Sequence, residues 1–335
     1  MTNTKKKTKS FVSKDHSVIL HQRNEGIPFD ASLFEDININ RSAVERRAAT
    51  LAGRRSVKKQ WQAAWLLKAI SCIDLTTLAG DDTEGNVLRL CAKAKSPVRA
   101  DILEAMEMKD ANIHVGAVCV YHNLIKYAVK GLNGSSIPIA AVSTGFPAGN
   151  IPLGEKIKQI ELSVAAGAKE IDIVVSRDLV LNSDWKGLYD EVAACRKACG
   201  EAHMKTILAT GEIPTLTKVA KASWVSMMAG SDFIKTSTGK EPVNATIPVS
   251  LVMIRALRDY YELTGYKVGF KPAGGIGKAK QAVNWLVLIK EELGNEWLTP
   301  HLFRFGASSL LGDIERQLEH YVTGRYSASF RHPMA

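Results

Sequence analysis

Two similar stretches of sequence decide the fold: Asp232-Phe-Ile-Lys-Thr-Ser-Thr-Gly-Lys240 and Val268-Gly-Phe-Lys-Pro-Ala-Gly-Gly275. In each, a short apolar run ends in a lysine, Lys235 or Lys271, and small or polar residues follow. The two lysines are 36 positions apart, which is about the length of one strand–helix–strand repeat. Because parallel β/α proteins keep their reactive groups at the carboxyl ends of the strands, we expect the two ammonium groups to lie side by side.

Short apolar runs of this kind recur eight times, and helical patterns or Gly, Pro, Ser and Thr residues follow each of them. The runs are Cys72–Thr77, Ala117–Tyr121, Ile139–Ser143, Glu170–Val175, Met204–Ala209, Asp232–Thr236, Lys267–Lys271 and Leu302–Gly306. Eight strands that alternate with helices over about 240 residues are typical of a (β/α)₈ TIM barrel. A doubly wound open sheet is the alternative. The barrel is favoured because polar residues follow many of the runs, as a ring of loops would require.

We therefore predict an α/β protein, a (β/α)₈ TIM barrel with an N-terminal helical extension. The predicted parts are a basic, disordered or loosely packed arm over residues 1–39 and the helical extension over 40–70. The barrel follows over 71–322, and a flexible tail over 323–335.

Charge is distributed unevenly between these parts. Residues 1–60 carry 13 Lys/Arg and 6 Asp/Glu, a net +7 out of +10 for all 335 residues. The barrel is therefore close to neutral, and the basicity belongs mainly to the arm, where Lys5, Lys6, Lys7 and Lys9 form a run. A solvated arm is favoured over one that binds nucleic acid, although nuclear access through this run stays open.

The composition excludes some other classes. The chain is 46% hydrophobic and 23% charged, as in a globular protein, and has no run of 18 apolar residues, so we expect no membrane span. Five scattered cysteines are read as reduced thiols, which predicts a cytoplasmic location. No His, Asp and Glu cluster has the spacing of metal ligands, so we expect no metal.

Lys235 is the candidate nucleophile, and Lys271 is the group that perturbs it. A lysine of ordinary pKa is almost entirely protonated at pH 7. A second ammonium roughly 6 to 7 Å away, at an effective dielectric near 20, would lower that pKa by about two units. The alternative is that each lysine extends from a strand end into solvent. We favour chemistry because both lysines precede stretches rich in small polar residues.

Acidic residues inside two apolar runs are the next candidates. Asp172 lies within Glu170–Val175, where a carboxylate is costly unless it is paired. It could move protons in the active site or form a structural ion pair with a strand lysine such as Lys205. Asp74 allows both readings, and we favour a supporting role. Cys119, near the end of the second run, is expected to line the pocket or lie in the core.

A phosphate site is predicted where the last three strands end. Loops after the seventh and eighth strands of a barrel, with a helix N-terminus, commonly bind phosphate. The residues expected to contribute here are Thr238, Gly239, Lys240, Gly274, Gly275, Ser308 and Ser309.

With these motifs the sequence closely resembles the deoxyribose-phosphate aldolases, especially the longer eukaryotic-type members, over about residues 40 to 325. The motifs that carry the resemblance are Ile73-Asp-Leu-Thr-Thr-Leu, Val118-Cys-Val-Tyr, Phe146-Pro-Ala-Gly-Asn150, Glu170-Ile-Asp-Ile-Val, Thr210-Gly-Glu212, Phe233-Ile-Lys-Thr-Ser-Thr-Gly-Lys240, Gly269-Phe-Lys-Pro-Ala-Gly-Gly275 and Arg304-Phe-Gly-Ala-Ser-Ser309.

The resemblance implies roles for individual residues. It makes Lys235 the Schiff-base lysine, Lys271 the lysine that perturbs its pKa, and Asp172 the residue that shuttles protons. It also places Thr210 beside the pocket. Bacterial relatives carry an arginine after the Gly-Gly pair, so Lys278 would join Lys240 in binding phosphate here.

The chain end also departs from the family pattern. Some relatives end in a tyrosine that enters the site, whereas here Tyr326 and Phe330 are the aromatic residues that could fold back over the mouth.

The implied reaction is the reversible cleavage of 2-deoxy-D-ribose 5-phosphate to acetaldehyde and D-glyceraldehyde 3-phosphate, in deoxyribose phosphate catabolism. An iminium ion serves as the electron sink, so we expect no cofactor. The expected partners are small phosphorylated sugars and aldehydes, and a homodimer stays open. Two alternatives are a Schiff-base aldolase for another phosphosugar and a barrel that has lost catalysis and binds nucleic acid or a scaffold.

Overall fold

Eight short strands alternate with helices along the chain, as the recurring apolar runs predict. The computed structural model describes residues 23–333. The strands are β1 (Ile73–Thr76), β2 (Ala117–Tyr121), β3 (Ile139–Val142), β4 (Glu170–Val174), β5 (His203–Ile207), β6 (Phe233–Lys235), β7 (Gly269–Lys271) and β8 (Phe305–Ala307). Each falls within or overlaps one predicted run, so the number and order of the strands are confirmed.

The strands form a closed parallel barrel. Each strand pairs with its neighbours in sequence, and β1 also pairs with β8. The last seam closes between β7 and the segment leading into β8. There Phe270 donates its N–H to Leu302 O at 2.9 Å, and Arg304 donates to Phe270 O at 3.1 Å. An open doubly wound sheet would reverse its strand order near the middle, so the barrel prediction is confirmed and that alternative is excluded.

Helices follow the strands and cover the outside of the barrel. They are α1 (Arg41–Arg54), α2 (Lys59–Ser71), α3 (Glu84–Lys95), α4 (Ala100–Ala105), α5 (Ile125–Gly131), α6 (Leu153–Ala165), α7 (Arg177–Leu181), α8 (Trp185–Cys199), α9 (Leu216–Met228), α10 (Ile247–Thr264), α11 (Ala279–Leu293) and α12 (Leu310–Thr323). The main hydrophobic core lies between these helices and the outward faces of the strands. The predicted extension corresponds to α1, which packs on α10 and α11, and α2, which packs on α11 and α12.

The predicted loose arm is wrong for the residues that the structure describes. Residues 23–39 pack against the barrel: the Phe34 ring is 1% exposed and makes an edge contact with Trp185. Asn24 is also buried, and its amide donates to Met227 O at 2.7 Å and to Ser231 O at 2.9 Å. Apolar anchors spaced along an irregular segment give no periodic signal, so the sequence pattern did not reveal this packing. Residues 1–22, with the lysine run, lie outside the described residues.

The tail is also placed differently from the expectation. Tyr326 and Phe330 are 89% and 82% exposed, and no described residue after α12 lines the barrel mouth. Instead His332 is buried against α12, where its Nε2 lies 2.7 Å from Glu319 and its Nδ1 3.3 Å from Glu315. The fold-back over the mouth is therefore wrong in this structure. The segment is held by carboxylates that sequence spacing alone could not pair with it.

Among residues 23–333, no helix combines the length and the apolar character that crossing a membrane requires.

Candidate active site

The inside of the barrel holds a continuous cluster of charged side chains instead of an apolar core. Its members are Asp74, Glu170, Asp172, Lys205, Lys235, Lys271 and Arg304, all of them buried. They come from six strands or strand entries, so only closure of the barrel brings them together.

The pleat of the strands explains why these residues face inward. Glu170 and Asp172 are two residues apart on β4 and therefore point to the same side, whereas Ile171 and Ile173 point to the helices and join the main core. The register sets neighbouring strands level, because Asp172 pairs with Lys205 and Lys235 pairs with Lys271. The side-by-side placement of Lys235 and Lys271 is as predicted.

Asp172 lies at the centre of the cluster. Its Oδ2 accepts hydrogen bonds from both Lys235 Nζ at 2.8 Å and Lys271 Nζ at 2.7 Å. Its Oδ1 accepts a bond from Lys205 Nζ at 2.9 Å. Asp172 therefore has the contacts expected for both predicted roles. It forms the ion pair with Lys205, and it also contacts both candidate catalytic lysines.

Asp74 supports this centre from the opposite side. One of its oxygens accepts a hydrogen bond from Lys271 Nζ at 2.5 Å, and the other accepts one from Arg304 at 2.5 Å. Below it, Glu170 binds Arg304 at 2.8 Å and Lys205 at 2.6 Å. Every carboxylate of the cluster thus has at least two cationic partners, as burial requires.

Sequence reasoning missed Glu170 and Arg304 as parts of the site and treated Lys205 only as an ion-pair partner. The signal was present, because each is a charged residue inside an apolar run that forms or leads into a strand. Such a residue is costly unless the barrel interior supplies partners.

The surroundings shift the pKa values in opposite directions. Burial, reinforced by the charge of Lys271, lowers the pKa of Lys235 although Asp172 opposes the shift. Burial also acts against the charge of Lys271, but Asp172 and Asp74 outweigh it and raise its pKa. Burial alone would raise the pKa of Asp172, yet Lys205, Lys235 and Lys271 together hold it well below its ordinary value. Lys235 is therefore the lysine that loses its proton most readily.

The charge balance of the cluster favours one neutral lysine. Four cations face three carboxylates when all seven groups are ionised. Loss of one proton from Lys235 would leave three against three. A neutral Lys205 or Lys271 would give the same balance, but their pKa values are raised whereas that of Lys235 is lowered.

A cavity of about 720 Å³ opens above the cluster at the carboxyl ends of the strands. Of the seven charged residues, only Lys235 lines it. The predicted phosphate residues that line it are Thr238, Gly239, Lys240, Gly274, Gly275, Ser308 and Ser309. Thr76, the last residue of β1, and the three residues after it also line the cavity and were not predicted, although two threonines at a strand end are a polar signal of the same kind.

Lys278 is not among the residues that line the cavity. It is the residue before α11, its side chain is 68% exposed, and its ammonium lies 3.5 Å from Asp313. The expectation that Lys278 helps to bind phosphate does not fit this position. The helix geometry turns the side chain outward, and spacing after the Gly-Gly pair could not reveal that.

The loop after β6 is held by hydrogen bonds to the side chain of Glu241. Its carboxylate accepts the N–H groups of Thr238 at 3.0 Å and Gly239 at 3.2 Å, and the Thr238 hydroxyl at 2.7 Å. These N–H donors are therefore used within the loop. The Lys240 ammonium has no ion pair among the described residues and is left to provide positive charge at the cavity.

The remaining predicted residues are Cys119 and Thr210, and both are buried. Cys119 is buried on β2 in a small apolar group with Ala117, Ala140 and Val142, and burial raises the pKa of its thiol. Thr210 follows β5, and its N–H donates to Thr236 O at 2.8 Å. Its buried hydroxyl has no hydrogen-bond partner among residues 23–333.

No group of three or more His, Cys, Asp and Glu side chains is placed to hold a metal ion within the described part of the chain.

A (β/α)₈ barrel with a buried pair of lysines on neighbouring strands, one of them open to the cavity, defines the protein as a lyase of the class I aldolase type. Residues 68–310 match the sequence model of the DeoC/LacD family aldolases. Since this match covers well over half of the chain, the protein belongs to the DeoC/LacD aldolase family.

Close relatives extend the similarity over nearly the full length. A deoxyribose-phosphate aldolase of Mus musculus is 62% identical over 312 residues, which are 92% of this chain and 98% of the mouse protein. A deoxyribose-phosphate aldolase of Homo sapiens is 59% identical over 314 residues, 93% of this chain and 99% of the human protein.

Solved structures share the fold at lower identity. The tetrameric deoxyribose phosphate aldolase of Aeropyrum pernix is 20% identical and has a TM-score of 0.51, covering 79% of this chain and 98% of its own. An aldolase called QR15 is 23% identical with a TM-score of 0.58, covering 76% and 97%. These neighbours support the barrel alone.

Proposed function

We propose that the protein is a deoxyribose-phosphate aldolase, which reversibly cleaves 2-deoxy-D-ribose 5-phosphate to acetaldehyde and D-glyceraldehyde 3-phosphate. The mouse and human relatives of that name support this substrate. The observation that carries the chemistry is the position of Lys235, the one member of the charged cluster that lines the cavity.

Lys235 is the nucleophile of this proposal. Its neutral amine attacks C1 of the open-chain sugar phosphate, and loss of water from the carbinolamine gives an iminium ion. A base removes the proton of the C3 hydroxyl, and the C2–C3 bond breaks. D-glyceraldehyde 3-phosphate leaves, and the bonding electrons remain on C2 as an enamine. Protonation of C2 and hydrolysis then release acetaldehyde and restore the amine.

In this scheme Asp172 transfers protons and Lys271 stabilises its carboxylate. Asp172 Oδ2 contacts Lys235 Nζ at 2.8 Å, so it is placed to accept or return a proton at the nitrogen that reacts. Lys271 shares that oxygen at 2.7 Å and stabilises the carboxylate while keeping a positive charge next to Lys235. A water in the cavity would carry the proton between these groups and the substrate.

The substrate phosphate would lie at the far end of the cavity, between Lys240 and the loops after β7 and β8. The backbone at Gly274 and Gly275 has positive φ values of 79° and 77°, which favour glycine and let the main chain approach an anion closely. Ser308 and Ser309 precede α12, whose N-terminus adds a favourable dipole.

The cellular setting is part of the same proposal. The five cysteines are buried and free, which fits a reducing compartment such as the cytoplasm. The Aeropyrum pernix neighbour is tetrameric, and we propose a homo-oligomer here, with a dimer as its smallest form. Light scattering of the purified protein and imaging of the tagged full chain would test these two points.

The deciding experiment is an assay of acetaldehyde release from 2-deoxy-D-ribose 5-phosphate, coupled to an alcohol dehydrogenase. We expect steady release by the wild-type protein and loss of at least a thousandfold in Lys235→Met, which keeps the side-chain length. Cleavage of other phosphosugars with none of this one would overturn the assigned substrate. Full activity in Lys235→Met would overturn the assigned nucleophile.

A further inference from the structure

Arg177, the first residue of α7, connects four of the loops at the barrel mouth. It follows β4, and its Nε lies 2.6 Å from the Glu212 carboxylate in the loop after β5. Its Nη2 lies 3.6 Å from Glu241 in the loop after β6. The same guanidinium donates to the carbonyl oxygens of Pro147 and Ala148 in the loop after β3.

Glu241 links Arg177 to the loop after β6, which lines the cavity. Its side chain is 2% exposed, and its carboxylate accepts both loop N–H groups and the hydroxyl of Thr238. The Thr238 hydroxyl oxygen in turn accepts the N–H of Lys240 at 3.1 Å. A chain of contacts therefore runs from Arg177 through Glu241 and Thr238 to the backbone of Lys240.

The loops after β5, β6 and β7 are packed so closely that a shift of Glu241 would displace their neighbouring groups. A Cβ added to Gly211 would lie 1.9 Å from the carbonyl oxygen of Val243, so the loops after β5 and β6 touch backbone to backbone. A Cβ on Gly274 would lie 2.5 Å from the side chain of Asn244, which itself donates to Glu241 O at 2.8 Å. Displacing Glu241 would therefore move groups on both sides of the phosphate end of the cavity.

We propose that Arg177 and Glu241 form a positioning pair that fixes the Thr238–Lys240 loop and thereby sets the affinity for the substrate phosphate. This inference rests on the proposed function. Neither residue lines the cavity, so neither touches the substrate, and both act through the loop. Arginine suits this role because its planar fork reaches several oxygen acceptors at once, which the single ammonium of lysine cannot do.

Kinetics on two substrates test the pair. In Arg177→Ala, KM for 2-deoxy-D-ribose 5-phosphate should rise about tenfold or more, because a misplaced contact of this kind is costly. Its kcat should change little, and cleavage of unphosphorylated 2-deoxy-D-ribose should match the wild type. Glu241→Gln should act in the same direction, and the double variant should be no worse than the stronger single one because the two residues act as a unit. Arg177→Lys should not restore the wild-type KM.

Arg258→Ala provides the matched control. Arg258 lies on α10 with ion pairs to Asp259 and Glu292 and outside the cavity wall. It should leave both substrates unaffected. An unchanged KM in Arg177→Ala, or an equal loss on both substrates at an unchanged melting temperature, would overturn the inference.

Hydrogen exchange gives a readout that needs no activity. In Glu241→Gln and Arg177→Ala, peptides that cover residues 236–244 should exchange faster than in the wild type, and those from α10 should not. If the wild-type protein failed to cleave the sugar phosphate, the proposed substrate would be wrong. The hydrogen-exchange rates would still show whether Arg177 and Glu241 position the loop. Unchanged exchange over residues 236–244 would overturn that role, and if Arg177→Ala did not fold, Glu241→Gln alone would decide.

Discussion

At the scale of single residues, reactivity depends on which member of a buried charged cluster gives up its proton. Seven ionisable groups share the barrel interior, and only Lys235 combines a lowered pKa with a place on the cavity wall. From the sequence we expect the charge of Lys271 to lower the pKa of Lys235 by about two units, with desolvation adding to that shift. In the structure burial is the largest cause of the lowered pKa of Lys235. The charge of Asp172, which binds both lysines, comes next and opposes the shift, and the charge of Lys271 follows and adds to the lowering.

The covalent intermediate should form on Lys235. Borohydride reduction in the presence of substrate should attach the reduced acetaldehyde fragment to one peptide, which mass spectrometry would identify as the one with Lys235. Label on Lys271 with Lys235 unmodified would contradict the assignment.

Replacing Lys271 by leucine should shift the activity profile to higher pH. Removing a positive charge next to Lys235 favours its protonated form, so the pKa of Lys235 rises. By the Coulomb estimate the rise is about two units, and turnover at neutral pH should fall about a hundredfold. The pH dependence of kcat/KM measures this, and Lys271→Arg, which keeps the charge, should stay closer to the wild-type profile. A profile unchanged in the leucine variant would show that the two groups are not coupled.

At the scale of elements, the strands position the charged cluster and the loops form the end of the cavity that we propose for the phosphate. Strand register alone places Lys235 beside Lys271. The loops after β6, β7 and β8 then converge on one wall of the cavity. The position of each helix N-terminus determines whether the residue there reaches the cavity. Ser309, before α12, lies at the cavity, whereas Lys278, before α11, points to Asp313 and solvent.

Lys240 and Lys278 each follow a strand by a few residues, but replacing them should have different effects on KM. Lys240→Ala should raise KM for the sugar phosphate about tenfold or more, because a charge-assisted contact with phosphate is lost. Lys278→Ala should leave KM within about twofold, because an exposed ion pair contributes about 0–1 kcal/mol. Steady-state kinetics of both variants provide the comparison, and an equal rise in the two would return Lys278 to the phosphate site.

At the scale of the whole molecule, the barrel is held at its periphery by segments outside the eight repeats. Residues 23–39 pack against the outside of the barrel through Phe34, and His332 is held on α12 by Glu319. Both segments lie away from the cavity, so they should affect stability more than catalysis.

Phe34→Ala should lower the free energy of unfolding by about 3–5 kcal/mol, the usual cost of truncating a buried aromatic ring. Trp61→Ala is the matched control, because Trp61 is 67% exposed and its loss should cost no more than about 0.5 kcal/mol. Denaturant unfolding measures both, and an equally small effect of the two would mean that the N-terminal segment does not contribute to the core.

Removing residues 326–335 should lower the melting temperature and leave KM unchanged. The deletion takes away His332 and Arg331, two cationic or polar partners of Glu319, and leaves Glu315 with Lys93. A raised KM at an unchanged melting temperature would restore the view that the tail covers the mouth.

The sequence by itself determined the barrel, its eight strands and the pairing of Lys235 with Lys271. Strand length, the period of two along a strand and the spacing of the repeats are local properties, and parallel strands bring their carboxyl ends together whatever the details of packing. Cavity residues that follow β6 and β7 were therefore found from the chain alone, as Thr238 and Gly274 show, whereas Thr76 and Thr77 at the end of β1 were missed.

Only the tertiary structure decided which charged groups bind one another and which loops are joined by one side chain. The bond from one Asp172 oxygen to two lysines, the layer made by Glu170, Lys205 and Arg304, and the reach of Arg177 across four loops join residues that are far apart in the chain. Such contacts depend on the closed seam of the barrel and on where each helix begins. No periodicity in the sequence encodes those distances, because they arise when eight separate strands meet around one axis.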